Sequence, residues 1–208
     1  MEFAKLALVA CIVLIAFTRA AAQDRMPPIP ADKMTDAQKK AAAELIAGPR
    51  GKLSGPFVPL LRSPEFMSRL QKTGEYLRYE SKLGPRLNEF VILTTARLWT
   101  QQYEWTAHES LALKAGVKQE IIDAVRAGCR PAGMDADQEI AYDFLMELHH
   151  NHSVSDETYA RALSKFGEQG VIDLVGVTGY YTMLAMIMNV ARTPLPPGEQ
   201  PPLAPFPR

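Results

Sequence analysis

The sequence is poor in cysteine, with only Cys11 and Cys129 in 208 residues. Cys11 lies in an N-terminal stretch that reads as a removable signal. The mature chain then carries one thiol, which excludes an internal disulfide and any mechanism that needs two thiols in one chain. Histidine is scarce as well, and three of the four residues, His149, His150 and His152, crowd one helix end. Side chains adjacent on a helix diverge by about 100°, so this cluster reads as a solvated helix C-terminus rather than a metal site. No metal ligand set and no organic cofactor is assigned. Charge of one sign is not in excess, since 23 basic residues balance 23 acidic ones. No basic cluster reaches the density of a phosphate-binding surface, which excludes nucleic acid as a partner. Strand-period alternation of any useful length is missing too, so the fold class is all-α.

Residues 1–22 read as a signal peptide. Lys5 gives the positive start, Leu6 to Phe17 the apolar run, and Ala20-Ala21-Ala22 a small-residue cleavage site before Gln23. That run is shorter than the roughly twenty residues of a membrane span, so the expected location is exported, periplasmic or secreted. Residues 23–34 form a proline-containing linker, 35–192 the folded domain, and 193–208 a tail too rich in proline to continue a helix. The tail is expected to lie extended on the surface or on a neighbouring subunit. Within the domain, Thr35 and Gln38 suggest a capping box opening a helix to about Ala47, and Gly48 to Phe57 reads as loop. Ser63-Pro64-Glu65 opens a helix to about Tyr79. Further helices are expected over Lys118 to Ala127, Asp135 to His149, Asp156 to Lys165 and Val171 to Ala191. The last is apolar but interrupted by Asp173, Gly176, Gly179 and Asn189, which suits a packed interior or a subunit contact better than a membrane span. The sum is a compact bundle of about six to eight helices, with no stable membrane span once the signal is gone.

Between Arg86 and Gly116 the chain reads as helix almost throughout, with a break from Trp99 to Tyr103. Inside it stand Glu89, Gln101, Glu104 and His108. The last three are spaced by three and four residues and so share one helical face. Glu89 can approach His108 only if the chain bends near Thr100. Trp99, Tyr103, Trp105, Leu93, Leu111 and Leu113 crowd the region, which points to a partly dry cavity. Desolvation there raises a carboxyl pKa and lowers that of an imidazole, moving both toward the range useful for proton transfer.

These residues resemble the carboxymuconolactone decarboxylase and alkylhydroperoxidase D-like family. Its peroxidase branch carries Glu-x11-Cys-x2-Cys-x3-His, and Glu89 and His108 fall on the glutamate and histidine. Gln101 and Glu104 fall where the two cysteines stand, so this chain resembles a branch without the CxxC pair, and dithiol chemistry does not carry over. In the decarboxylase branch the segment commonly reads Tyr-Glu-Trp-x2-His, which Tyr103, Glu104, Trp105 and His108 reproduce. The resemblance spans about Leu60 to Thr193 and implies a homo-oligomer, often a trimer or hexamer.

By that resemblance the chain is a carboxy-lyase-like enzyme doing cofactor-independent acid–base chemistry on a small lactone or carboxylic acid. His108 is the expected general acid, oriented by Glu104 or Glu89. Gln101 is the expected oxyanion donor, Arg97 or Arg86 the carboxylate clamp, and Tyr103 and Trp105 the pocket wall. Two other readings stand beside it. One is an alkylhydroperoxidase or peroxiredoxin-like antioxidant using Cys129 or a partner's thiol. The other is a ligand-binding scaffold that kept the fold without the chemistry.

Overall fold

The computed structural model describes residues 23–205. The signal-peptide reading of residues 1–22 lies outside the described residues, as do residues 206–208. Among the described residues there are eight α-helices, one 3-10 turn and no strand, so the fold is the all-α bundle expected.

The first helix, α1 (Asp36–Ala47), opens with the capping box read from the sequence: Thr35 accepts from the Gln38 amide, and the Gln38 side chain reaches back to Thr35. The loop after it tightens into a helical turn, α2 (Phe57–Leu60), that the proline-rich sequence conceals. Helix α3 (Pro64–Tyr79) starts on its proline as expected, but Ser63 makes no side-chain cap bond. Next come α4 (Gly84–Leu98) and α5 (Gln102–Lys114), separated by a bend at Thr100, which takes φ 47°. Gly116 follows in the left-handed conformation that a residue with a Cβ adopts at a cost, ending α5. The last three are α6 (Gln119–Ala127), α7 (Ala136–Asn151) and α8 (Asp156–Ala191). The two helices expected between Asp156 and Ala191 are both present, numbered together as α8, with Gly167 at φ 69° and ψ 175° as the non-helical kink between them.

Helix α4 is the axle of the bundle. Every residue from Leu87 to Arg97 is buried, and it packs against α3, α5, α6, α7 and α8. A helix buried on all sides needs apolar residues all round, which Phe90, Val91, Ile92 and Leu93 supply. The polar exceptions are Asn88, Glu89, Thr94, Thr95 and Arg97, for which burial makes a missing partner costly. Asn88 donates to the carbonyls of Leu77 and Arg78 at the end of α3, and Thr94 to that of Phe90. Helix α8 is long and apolar enough to cross a membrane by composition, yet it packs on α3, α4 and α7. It also buries Asp173, which accepts from Tyr76 Oη and the Lys82 amide.

The segment read as a linker lies against the bundle. The Arg25 amide donates to the Ala191 carbonyl at 2.9 Å and Arg62 donates to that of Pro27 at 2.7 Å. The tail is extended, as its prolines require, and Leu203 is buried between Gln102 contacts: Gln102 Nε2 donates to the Leu203 carbonyl and Gln102 Oε1 accepts the Leu203 amide.

Candidate active site

The bend at Thr100 brings α5 back alongside α4 and is fastened by side chains. Gln101 Oε1 accepts the amides of Tyr103 at 2.7 Å and Glu104 at 3.3 Å, capping α5. Its Nε2 donates to Asn189 Oδ1, and Asn189 Nδ2 donates to the Trp99 carbonyl, tying the turn to α8.

The consequence is a contact between residues 19 positions apart: His108 Nδ1 lies 2.7 Å from Glu89 Oε2. Both side chains are nearly closed off from solvent, at 8% and 11% exposure. Burial pushes the His108 imidazole below its ordinary pKa, against the opposing pull of Glu89. The neutral ring donates Nδ1–H to Glu89, which leaves its Nε2 lone pair for chemistry. Tyr181 stands edge-on to the ring, with centroids 5.3 Å apart.

One turn before His108, Glu104 is 3% exposed, and its Oε2 has no hydrogen-bond partner. Burial drives its carboxyl well above the usual carboxylate range, while Arg50 and Arg78 pull the other way. Burial also lifts the Tyr180 hydroxyl to about 12 and raises that of Tyr181. Glu104, His108, Tyr103, Tyr181, Arg50 and Arg78 share a cavity of about 330 Å³, roofed by the loop between α1 and α2. That volume is in the range of small-molecule sites.

Of the residues proposed from sequence, Glu104, His108 and Tyr103 line this cavity, with Glu89 behind His108. Four others are placed elsewhere. Gln101 cannot serve as an oxyanion donor in this arrangement, because both ends of its amide are engaged in the cap and in Asn189. Arg97 donates to the carbonyls of Ala204 and Pro205 in the tail, and burial lowers its pKa. Arg86 is ion-paired with Asp135 at the start of α7. Trp105 is fully buried, with its indole N–H on Glu109 Oε2 at 2.9 Å. The cations that do line the cavity are Arg50, Lys52 and Arg78. They were missed because they lie outside the motif in sequence. The one available signal was the pair Arg50 and Lys52 in a loop rich in Gly and Pro.

Cys129 is exposed and sits in a cleft with Arg97 and Tyr142. His149, His150 and His152 do not converge, and among the described residues no three His, Cys, Asp or Glu side chains are grouped to hold a metal ion.

A helical bundle with an acid and an imidazole buried over one cation-lined cavity is the class of protein defined so far. Residues 64–140, from α3 into α7, match the carboxymuconolactone decarboxylase family, and this span contains Glu89, Glu104 and His108. The family match covers this central part of the chain, and the chain as a whole is compared by its fold. It is similar in fold to an uncharacterized peroxidase-related protein from Silicibacter sp. TM1040, with 16% identity and a TM-score of 0.66 over 83% of this chain and 92% of that one. It is also similar to an alkylhydroperoxidase AhpD core protein, likewise described as uncharacterized and peroxidase-related, from Ralstonia eutropha JMP134. Here identity is 15% and the TM-score 0.67, again over 83% and 92% of the two chains. At such identity the likeness carries the fold alone. No curated protein matches the sequence.

Proposed function

We propose that this chain is a cofactor-independent acid–base enzyme, a carboxy-lyase or related isomerase acting on a small lactone acid or carboxylic acid. One observation carries the reading: Glu104 and His108 face one cavity, and burial raises the carboxyl pKa and lowers the imidazole pKa, favouring the uncharged form of each. A carboxyl and an imidazole with displaced pKa values on one cavity are suited to act as acid and base partners.

In a decarboxylation, the bond between the substrate carbon and its carboxylate breaks and CO₂ leaves. The electron pair delocalises into the conjugated lactone carbonyl. Glu104, protonated and without a partner, is the group suited to return a proton to that carbon, and it is recharged from solvent. His108, held by Glu89, has the lone pair to take a proton in an isomerisation or to accept a hydrogen bond from substrate. This exchanges the roles expected from sequence, in which His108 was the acid. The cations lining the cavity favour the negatively charged enolate through space, without direct contact with it.

Screening lactone acids and hydroperoxides against purified mature protein tests the class of reaction. Turnover of a confirmed substrate at wild-type rates by both His108→Ala and Glu104→Gln would remove the assignment. The names of the two similar structures favour a peroxidase as second reading. It would have to use Cys129, which does not line the His108 cavity, or a partner's thiol. Alkylated protein that keeps full peroxide reduction would eliminate it. Export and homo-oligomer formation belong to the same proposal. N-terminal sequencing of the mature protein tests cleavage before Gln23. Light scattering tests the oligomer, for which the exposed apolar residues Ile172, Val175, Met186 and Val190 of α8 offer a surface.

A further inference from the structure

Four arginines lie near the motif in space or sequence, and they divide by what already satisfies them. Arg97 is held by tail carbonyls and Arg86 by Asp135. Arg50 and Arg78, on the cavity wall, make no hydrogen-bonded ion pair. Arg78 is 19% exposed and comes only within 3.9 Å of Glu89 Oε1, too far for a hydrogen bond. Arg50 donates from Nη2 to Tyr180 Oη at 3.2 Å and lies 4.8 Å over the Phe57 ring, while its buried Nε has no partner.

A buried N–H without an acceptor costs about 1–3 kcal/mol, so something is expected to satisfy it. The surroundings also hold Arg50 in place. A methyl group at Gly74 on α3 would collide with the Tyr180 hydroxyl and come within 2.7 Å of Arg50 Nη2. Glycine there lets the pair lie flat against the helix. The stacked, hydrogen-bonded guanidinium is thus fixed before any ligand arrives, which lowers the entropy cost of binding.

We propose that Arg50 and Arg78 form a carboxylate-binding subsite in the Glu104–His108 cavity, and that it takes a carboxylate of the substrate that survives the reaction. The assignment deepens the acid–base reading and rests on it. Guanidinium forks match a carboxylate, which accepts several hydrogen bonds at once. The surviving carboxylate is the one meant for a physical reason. A clamp that neutralised the departing carboxylate would stabilise the ground state, where the charge resides, more than the transition state, where it is leaving. Burial disfavours the charged form of Glu104, which reduces its competition for the two cations. Lys52 adds a third positive charge to the lining and favours anion entry.

The test is binding, read by calorimetry on the full mature chain, with succinate, succinamate and succinamide as probes of equal size and stepwise charge. Succinate is expected to bind saturably, succinamate more weakly and succinamide more weakly still. Arg50→Gln and Arg78→Gln are each expected to weaken succinate at least about tenfold, the cost of a hydrogen bond to a charged group. Arg69→Gln, on the exposed face of α3, is expected to leave binding unchanged. If a glutamine variant fails to fold, Arg50→Lys and Arg78→Lys carry the test, because they keep the charge and lose the fork; each is expected to weaken succinate. No saturable succinate binding to the wild type would overturn the proposal. So would unchanged affinity in the arginine variants, or succinamide binding as tightly as succinate. His108→Ala should still bind succinate while losing turnover, which separates failure of the subsite from failure of the acid–base assignment.

Discussion

The cavity beside His108, which the central helix reaches only through Glu89, and the cleft beside Cys129, lined by Thr94, Arg97 and Leu98 of that helix, contain similar ingredients: arginine, tyrosine and a side chain capable of chemistry. They differ in what completes them. The Cys129 cleft has room for about 10 Å³, and its Arg97 is capped by the chain's own tail. The His108 cavity is about 330 Å³, and a carboxyl oxygen of Glu104 and the Nε of Arg50 go without a partner there. In one region the chain's own tail takes the arginine, and in the other two arginines and a carboxyl line a space large enough for a ligand. Room beside polar side chains thus marks the site more sharply than residue type does, since unpartnered buried atoms such as Gln71 Oε1 and Thr178 Oγ1 also occur away from it.

Breaking the cavity should have the largest effect. His108→Ala and Glu104→Gln are each expected to lower kcat on a confirmed substrate by about 10²–10⁴, the range for loss of a general acid or base. Steady-state kinetics beside the Cys129→Ser variant read this directly. Trp105→Ala, which empties a site on α5 away from the cavity, is expected to cost about 3–5 kcal/mol in urea unfolding, since a large buried ring leaves a void. The loss should appear in stability before it appears in the chemistry. Gln101→Ala is expected to cost about 1 kcal/mol for its cap, also by urea unfolding. Smallest of all, Cys129→Ser should change stability within about 0.5 kcal/mol and leave turnover intact. A large loss of activity there would reverse the comparison between the two regions.

The two buried groups also give the comparison a pH signature. Burial lifts the folded-state pKa of Glu104 above its unfolded value, so the folded protein keeps a proton that the unfolded chain releases. Its contribution to stability is complete below the usual glutamate range and is lost as pH rises toward the folded value. The lowered pKa of His108 works the other way: its contribution is present above the ordinary imidazole value and is lost as pH falls toward the folded value. Thermal melting across pH should show Glu104→Gln removing the fall on the alkaline side.

Most of the fold was legible because its signals are local. The Thr35–Gln38 capping box, Pro64 at a helix start, the bend near Thr100 and the glycine ending α5 are each set by residues a few positions apart. The Gly167 kink likewise falls in the gap between the two helices expected from sequence. The candidate site was half legible. Glu89, Glu104 and His108 follow from spacing plus one bend. The cations do not, because Arg50 and Arg78 reach the cavity through the packing of a loop and α3 on α8, which no spacing within the motif encodes. Arg97 and Gln101 show the converse: closeness to the motif in sequence suggested a role in binding, while tertiary hydrogen bonds use them as structural ties.

The central claim is that Glu104 is a neutral acid beside a neutral, Glu89-bound His108, and it can be measured without knowing the substrate. Carbon-13 NMR of the glutamate carboxyls and nitrogen-15 NMR of the histidine rings, assigned through Glu104→Gln and His108→Ala, report both protonation states at pH 7. The account predicts a protonated Glu104 carboxyl and a neutral His108 carrying its proton on Nδ1. An ionised Glu104 titrating in the ordinary glutamate range, or an imidazolium at His108, would contradict it.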